Sequence, residues 1–322
     1  MPASGTSIFS DPNDYQAGFR GAKINLIFTG RGNFEARLTW VELPNLHLLH
    51  SHENLPRIAY VSLAPERVCV AFPTRFDPLT VWKGAELQSG DIVFHSQGER
   101  AHQRTSGASH WAFISLESEH LARYGKALTG LDLVPPPVGR VLRPPPSTAA
   151  RLLRLHTKAC RLAETKPKIV AHRQVARAIE QDLLHILVNC LTAGPIHNDT
   201  VATRRHANIM IRFEELLALH FSRQLPTSEI CASIDVSERT LRACCAQFLG
   251  MGPSRYLRLR RLNLVRAALR RAGPATVRIA EIASRYGFSG LGVYRSVFGE
   301  TPSNTLRQAL KKESFDASAE FA

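Results

Sequence analysis

Long apolar runs, paired cysteine motifs and acidic residues are all scarce in this 322-residue chain. No apolar run approaches the roughly 20 residues of a membrane-spanning helix, so we expect no membrane partner. The first 13 residues contain no basic segment followed by an apolar core, so we expect no secretory signal. The six cysteines form no CxxC motif, which excludes a zinc ribbon and argues against a disulfide scaffold. We therefore expect reduced cysteines and a cytoplasmic protein.

Positive charge is abundant and unevenly distributed. The chain has 41 Lys and Arg residues against 27 Asp and Glu, a formal net charge of +14. Residues 201–322 alone hold 19 of the basic and 10 of the acidic residues. Such a balance indicates a polyanionic partner, and its density at the C-terminal end favours contact with nucleic-acid phosphates there. A solvated, arginine-rich helical surface is the alternative.

The hydrophobic pattern changes along the chain and indicates two domains. Residues 25–116 contain short runs rich in β-branched and aromatic residues, separated by Gly, Pro and Asn turn signals, which predict a sandwich or barrel. Two proline triplets, 135–137 and 144–146, predict a stiff linker. Beyond them we predict helices over 147–164 and 171–191, and further helices to the end. The apolar stripe of the 171–191 helix fits either an intramolecular core or a dimer seam.

An internal repeat gives the clearest functional signal. Residues 229–237 align with residues 281–289 at an offset of 52. Each copy predicts a helix, a tight turn and a second helix. Asp235 and Gly287 stand where the turn needs a positive φ, and Ser237 and Ser289 follow as N-caps of the second helices. This is the pattern of a helix-turn-helix, present twice.

The first candidate recognition helix follows Ser237. Leu241, Cys245 and Phe248 are spaced to face inward, which leaves Glu238, Arg239 and Arg242 facing outward near the start of the helix. Arginine at such a position can bind guanine through two hydrogen bonds or hold a phosphate. Arg255, Arg258 and five further arginines lie on a long helix that we interpret as a rigid spacer between the two modules.

The C-terminal third resembles the AraC/XylS family of bacterial transcription regulators. The resemblance rests on Val236–Leu241, Leu249–Pro253, Arg260–Leu262, Ile279–Ala283, Tyr286–Phe288, Phe298–Ser303 and Leu306–Arg307. It implies two helix-turn-helix modules joined by a helix, each reading successive major-groove segments on one face of the DNA. The family often adds an N-terminal cupin-like β domain that senses a small effector or dimerises, and residues 25–116 look like such a domain.

We therefore predict a multidomain α+β protein with an N-terminal β-barrel or cupin-like domain, a helical connector and a C-terminal all-α domain with two helix-turn-helix modules. The expected boundaries are a flexible tail over 1–20, a cupin-like effector or dimerisation domain over 21–135, a Pro-rich linker with connector helices over 136–200, an AraC-type DNA-binding domain over 201–312 and a flexible tail over 313–322.

The second module departs from the family pattern. Gly250–Pro253 matches Gly299–Pro302 at an offset of 49 rather than 52, so the second recognition helix has lost three residues and should be about one turn shorter. Gly290 and Gly292 weaken what remains. We predict that the first module gives most of the specificity. The second would clamp the DNA backbone from Ser289, Gly290 and above all Arg295. In the first module, Ala243 follows Arg242 where the family usually has a basic or polar residue.

Histidines suggest a rival chemistry. His50 and His52 share one face of a predicted strand, as metal-binding histidines in cupin enzymes do, and His102 could join them. Glu53 would point to the opposite face, however, and the expected spacing of carboxylate and glycines is absent. We interpret His50, His52 and His102 as structural or effector-pocket residues and expect no metal, no cofactor and no catalysis. A metal-dependent cupin enzyme with an accessory DNA-binding domain is the alternative.

These predictions combine into one mechanism. A homodimer, held by the β domain or by the helices of 147–191, places its basic domains on repeated half-sites in promoter DNA. A small effector in the β domain changes how the basic domains are presented, and so alters promoter occupancy or contact with RNA polymerase. An activator is the expected class, although the residues leave repression open. A DNA-binding protein without an effector, regulated by abundance or by a partner protein, is a further alternative.

Overall fold

The computed structural model describes residues 2–193, 196–197, 201–220, 224–272 and 278–309. The chain forms two compact units. The first unit comprises Met1–Leu26, Phe34–Asn54 and Ala59–Arg204, and the second comprises Ile27–Asn33, Leu55–Ile58 and Arg205–Ala322. The predicted tail over 313–322 lies outside the described residues. No described helix is long and apolar enough to span a bilayer.

Strands dominate the N-terminal half. They are β1 (Ala3–Phe9), β2 (Ala22–Phe28), β3 (Ala36–Glu42), β4 (His47–Glu53), β5 (Arg57–Leu63), β6 (Arg67–Pro73), β7 (Thr80–Trp82), β8 (Ala85–Glu86), β9 (Ile92–Phe94), β10 (Arg100–Thr105), β11 (Ser109–Glu117), β12 (Arg140–Leu142) and β13 (Ile196–His197). The helices that accompany them are α1 (Pro12–Ala17), α2 (Ser118–Thr129), α3 (Pro146–Thr165), α4 (Pro167–Val170) and α5 (Arg173–Ala193).

The strands form two sheets. An eight-stranded sheet has the order β1-β3-β4-β11-β6-β9-β12-β13, and a five-stranded sheet has the order β2-β5-β10-β7-β8. The prediction of an N-terminal β domain followed by a helical C-terminal region is confirmed. The predicted barrel is not closed in the described part of the chain, because each sheet keeps two free edges.

Two hydrophobic layers hold the first unit together. One face of the eight-stranded sheet packs against α2, α3 and α5 through residues such as Val70, Ile114 and Leu187. The opposite face meets the five-stranded sheet, where Trp82 and Trp111 fill the space between the sheets. The apolar stripe of α5, including Leu183, Ile186, Leu187 and Cys190, is buried in the first layer. The stripe is therefore an intramolecular core, which resolves the two interpretations left open by its pattern.

The N-terminal segment is folded, so the prediction of a flexible tail over 1–20 is wrong. Residues 3–9 pair with β3, and Asp11 caps α1 by accepting a hydrogen bond from the Asn13 N–H at 2.7 Å. Tyr15 is completely buried and donates to Glu53 Oε1 at 2.7 Å. Phe9 and Tyr15 give this segment enough apolar surface to pack, with their ring centroids 5.5 Å apart.

The predicted linker is part of the sheet domain. Between the proline triplets, Arg140–Leu142 form β12 and pair antiparallel with β9. Lys83 fixes this segment from the five-stranded sheet. Its buried ammonium group donates to Glu99 Oε1 at 3.1 Å and to the Gly139 carbonyl at 3.3 Å. Linker and connector helices thus belong to the first compact unit.

Apart from the two N-terminal segments assigned to it, the second unit is helical. Its elements are α6 (Val201–Leu219), of which the first four residues lie in the first unit, α7 (Thr227–Ser233), α8 (Glu238–Leu249), α9 (Pro253–Arg271), α10 (Ile279–Arg285), α11 (Tyr294–Phe298) and a last helical segment described over 302–309. Two hydrophobic clusters share α9: Tyr256 and Leu259 pack with α6, α7 and α8, whereas Leu262, Val265 and Leu269 pack with α10 and α11. The predicted spacer helix is therefore confirmed, and it anchors both modules.

Candidate nucleic-acid interface

The turn between α7 and α8 has the geometry that the repeat predicts. Asp235 has a φ of 51°, in the left-handed region. The Val236 N–H reaches back across the turn to the Cys231 carbonyl at 3.0 Å, and the Asp235 N–H bonds to the Ala232 carbonyl at 3.4 Å. These bonds end α7 and redirect the chain into α8.

The turn of the second module has the same two backbone hydrogen bonds at equivalent positions. Gly287 has a φ of 75°. The Phe288 N–H bonds to the Ala283 carbonyl at 3.0 Å, and the Gly287 N–H bonds to the Ser284 carbonyl at 2.9 Å. Because α7 and α10 both have seven residues, the two copies match from the first helix through the turn. The predicted helix-turn-helix duplication is present in the structure.

Ser237 starts α8 as predicted. Its Oγ accepts a hydrogen bond from the Thr240 N–H at 3.1 Å, which satisfies a backbone donor that the helix itself cannot pair. Leu241, Cys245 and Phe248 are buried on the inner face of α8. The helix is thereby fixed in rotation, with its N-terminal end and its outer face exposed.

Three charged side chains lie on that exposed face. Glu238, Arg239 and Arg242 are all exposed. Arg242 donates to Glu238 Oε2 at 2.9 Å, one helical turn away. This pair lies on the surface, where such an interaction is worth about 0.2–1 kcal/mol, so a stronger acceptor can displace Glu238. On this face the Arg239 side chain is exposed, whereas the Arg242 guanidinium is held by a weak hydrogen bond to Glu238.

The second recognition helix is shorter than predicted. α11 has five residues against twelve in α8, a loss of about two turns rather than one. Three residues are missing from the sequence, and residues 290–293 lie outside the helix because Gly290 and Gly292 disfavour helical backbone. Ser289 therefore does not cap α11, whose N-cap position is Val293. This corrects the predicted cap.

Of the predicted contacts in this module, only Arg295 lies on a helix. It is exposed in the first turn of α11, whereas Ser289 and Gly290 are exposed in the segment before it. Tyr294 and Phe298 anchor α11 in the core, with their ring centroids 4.7 Å apart. The second module therefore has a packed core, and its short second helix has one exposed cationic side chain, that of Arg295.

Several arginines of α9 have internal partners that the sequence analysis missed. The buried Glu214 carboxylate of α6 accepts hydrogen bonds from both Tyr256 and Arg260. Arg266, also buried, donates to Glu300 at 2.7 Å and lies over the Phe298 ring. Burial lowers the pKa of the Arg266 guanidinium. An acidic residue on a buried helical face, such as Glu214, is the signal that could have identified these pairs. Arg255 and Arg258, by contrast, are exposed.

The cysteines behave as small core residues. All six are free and buried. Burial raises the pKa of the Cys244 thiol to about 11, and it raises that of Cys245 further, with contributions from Cys244 and Glu214. Thiols of this kind are poor nucleophiles at neutral pH, which argues against a redox switch at the adjacent pair.

The three histidines assigned to an effector pocket lie on different sheets. His50 and His52 are on β4, on the face that carries the helices, since the His50 ring contacts the His156 ring of α3. His52 stacks on His110, with ring centroids 4.2 Å apart. His102 lies on β10 of the five-stranded sheet beside Tyr60. Burial lowers the pKa of His50, His52 and His110, the last to about 4. Among the described residues, no group of three or more His, Cys, Asp or Glu side chains is arranged to hold a metal ion.

Comparison with known proteins locates a match in the duplicated region. The helix-turn-helix domain family matches residues 230–308, which run from α7 to the last described helical segment. The XylDLEGF operon transcriptional activator of Pseudomonas putida is 34% identical over 105 residues, 31% of this chain and 33% of that protein. The C-terminal region is an AraC-type helix-turn-helix domain.

A second relative is similar over a segment of comparable length. The probable thc operon regulatory protein of Rhodococcus erythropolis is 34% identical over 97 residues, 29% of each chain. The chain thus matches about a third of the length of these curated relatives. The crystal structure of the AraC-like transcriptional activator CuxR superposes with a TM-score of 0.42 at 17% identity, over 82% of this chain and 95% of that one. Within the AraC-type domain, α8 and α11 are the second helices of the two modules, the positions predicted for the recognition helices.

Proposed function

We propose that this protein is a transcription regulator that reads promoter DNA mainly through its first helix-turn-helix module. The observation that carries the proposal is the exposed N-terminal end of α8. It is capped by Ser237, fixed by its buried face, and presents Arg239 and Arg242. Residues at this end of a recognition helix contact base edges in the major groove. Because Arg239 and Arg242 are fixed on a rigid helix, their guanidinium groups can bind guanine through two hydrogen bonds and so distinguish base sequence.

The second module supplies affinity rather than sequence selection. A five-residue helix with Arg295 as its exposed cation offers no set of side chains for base readout. A guanidinium can still bind a phosphate, which positions the protein without reading sequence. Ser289 and Gly290 precede α11 and contribute exposed polar backbone to this contact. Both modules are fixed on α9, so the phosphate contact of one orients the other.

Control resides in the N-terminal unit. A cavity of about 130 Å³ lies between the eight-stranded sheet and α3, lined by apolar residues that include Phe72, Phe76, Ile92 and Leu153. Such a volume suits a small apolar effector. Because α3 packs on α5 and the chain continues from α5 towards the AraC-type domain, an effector here alters the element that leads into the DNA-binding unit. We place the protein in the cytoplasm, as a homodimer whose output, activation in our proposal, passes through RNA polymerase.

Genomic footprinting of the tagged full chain tests this proposal, followed by binding to the recovered sites. Arg239→Ala should lose about 1–3 kcal/mol at particular base pairs and leave other sequences little changed. Arg295→Ala should weaken all sequences alike and reduce the salt dependence by about one phosphate contact. Arg151→Ala, an exposed arginine of α3, is the charge-matched control. Diffuse binding that neither variant alters would contradict a sequence-specific regulator.

A further inference from the structure

The C-terminal end of α11 is capped by a segment from the N-terminal half of the chain. Residues 27–33 belong to the second compact unit. Within that unit, the Arg31 Nε–H donates to the Ser296 carbonyl at 2.7 Å, and the Gly32 N–H donates to the Phe298 carbonyl at 3.5 Å. The last carbonyl groups of a helix have no partner within the helix. The segment therefore satisfies two acceptors that α11 itself cannot pair.

α11 is too short to be stable without support from other parts of the chain. It has five residues, and the first turn of a helix costs more conformational entropy than its few hydrogen bonds return. Tyr294 and Phe298 bury one side of α11. Arg31 adds a positive charge at the end where the helix dipole is negative. We therefore expect α11 to depend on this cap more than the twelve-residue α8 depends on any one contact.

The capping segment is itself fixed within the second unit. Ile27 is buried in the hydrophobic cluster that includes residues of α6, α7 and α8. The Phe28 N–H donates to Asn263 Oδ1 of α9 at 3.2 Å, and the Thr29 N–H donates to the Pro56 carbonyl at 2.9 Å. The segment thus reaches α11 from a fixed position on α9, the helix that anchors both modules.

We propose that residues 29–32 complete the second helix-turn-helix module and that Arg31 is a positioning residue for Arg295. Arg295 is exposed on α11 next to Ser296, whose carbonyl accepts the hydrogen bond from Arg31. A cap that holds this turn of α11 in its helical conformation also holds the direction of the Arg295 side chain. The inference rests on the proposed function for the contact of Arg295 with a DNA phosphate, whereas the cap can be measured without DNA.

Amide hydrogen exchange of the free, full-length protein tests the cap. The Gly299 N–H closes the last turn of α11 through its bond to the Arg295 carbonyl at 2.9 Å. Arg31→Ala removes the side-chain donor and should speed exchange in α11 about three- to tenfold, while exchange in α8 stays unchanged. Arg31→Gln places an uncharged N–H donor at the same distance along the side chain and should keep exchange near the wild-type rate. Unchanged exchange of α11 in Arg31→Ala would refute the cap.

DNA binding by the same full-length variants tests the positioning role. Arg31→Ala should lower affinity by the same factor as Arg295→Ala and reduce the salt dependence by about one phosphate contact. It should have no further effect in a protein that already carries Arg295→Ala, because both changes remove one contact. Arg31→Gln should bind within about twofold of the wild type, since it keeps the donor and loses only the charge. Arg37→Ala, at an exposed arginine of β3, is the charge-matched control and should leave affinity unchanged.

Two outcomes of the binding experiment would overturn the positioning role. Additive losses for Arg31→Ala and Arg295→Ala would mean that Arg31 contacts DNA independently of Arg295. Equal losses for Arg31→Gln and Arg31→Ala would mean that the charge of Arg31 matters and its hydrogen bond does not. Failure of the proposed function gives a different result, because Arg295→Ala would then leave binding unchanged while α11 still exchanged faster in Arg31→Ala. In that case the cap would stand, and its role in DNA binding would be refuted.

Discussion

Asp235 and Gly287 hold the same left-handed backbone conformation in the two copies of one turn, with φ values of 51° and 75°. The first copy uses a residue that tolerates this conformation, and the second uses the residue that adopts it freely. The turn is thus a shared requirement of both modules, while the recognition helices that follow differ in length. The two modules therefore share the first helix and the turn but differ in the surface of the second helix.

Substitution of Gly287 should destabilise the second module. In Gly287→Ala the new Cβ would lie 3.1 Å from Arg261 Nη1 in a conformation that L-residues avoid, so we expect a loss of about 1–2 kcal/mol. Asp235→Gly removes the same strain from the first turn and should change stability by less than about 1 kcal/mol. Urea unfolding followed by circular dichroism measures both. An unchanged midpoint for Gly287→Ala would contradict the shared turn geometry.

The two serines after these turns should respond differently to alanine. Ser237→Ala removes a side chain that accepts from the Thr240 N–H, and loss of such a cap costs about 1 kcal/mol. Ser289→Ala should have no comparable effect, because α11 begins five residues later. Thermal unfolding of both variants under one condition tests the difference. Equal losses would mean that Ser289 does cap a helix.

The structure of the two helix-turn-helix modules shows which of their features could be predicted from the sequence. Local rules were sufficient for the first module, because the positive φ of Asp235, the Ser237 cap and the buried face of α8 depend on neighbours within a few residues. The start of α11 was not predictable from the repeat, since the two glycines shift a balance that depends on packing of Tyr294 and Phe298. Single-sequence patterns also could not show that Arg260 and Arg266 have acidic partners, Glu214 and Glu300, more than thirty positions away in the sequence.

In the N-terminal half, contacts between distant segments could likewise not be predicted from the sequence. Its strand-rich composition predicted a β domain, but strand order depends on pairings between distant segments. Residues 3–9 pair with β3 across about thirty positions, and β12 joins the sheet from a segment that its prolines marked as linker. His50, His52 and His102 could be assigned to one domain from the sequence, whereas their separation onto two sheets required the topology.

Acidification should destabilise the first unit through His156. Burial, with the nearby His50, lowers the pKa of this histidine to about 3. Below the ordinary histidine pKa of about 6.5, the unfolded chain therefore binds a proton that the folded chain does not. Stability is then full above about pH 6.5 and falls as the pH drops towards 3, by about 1.4 kcal/mol per pH unit in the middle of this range.

His156→Leu isolates this contribution. It removes the titrating ring, so its stability relative to the wild type should improve steadily between pH 7 and pH 4.5, whatever the cost of the substitution at neutral pH. His172→Leu, at an exposed position, serves as the control and should show no such trend. Denaturant unfolding across the pH series gives both slopes. Parallel curves for the wild type and His156→Leu would refute the assignment.

Glu238 should lower the affinity of the first recognition helix for DNA. Its carboxylate accepts from Arg242 at 2.9 Å in the free protein, and it would stand close to the phosphates in a complex. Glu238→Gln removes the repulsion and releases the guanidinium. Since exposed pairs are worth at most about 1 kcal/mol, affinity should rise by up to about fivefold. The dependence of binding on salt should steepen by about one phosphate contact. Glu119→Gln makes the same charge change at an exposed position of α2 and should alter neither quantity. If Glu238→Gln instead weakened binding at specific sites alone, Glu238 would be reading a base, since a carboxylate accepts hydrogen bonds from cytosine N4.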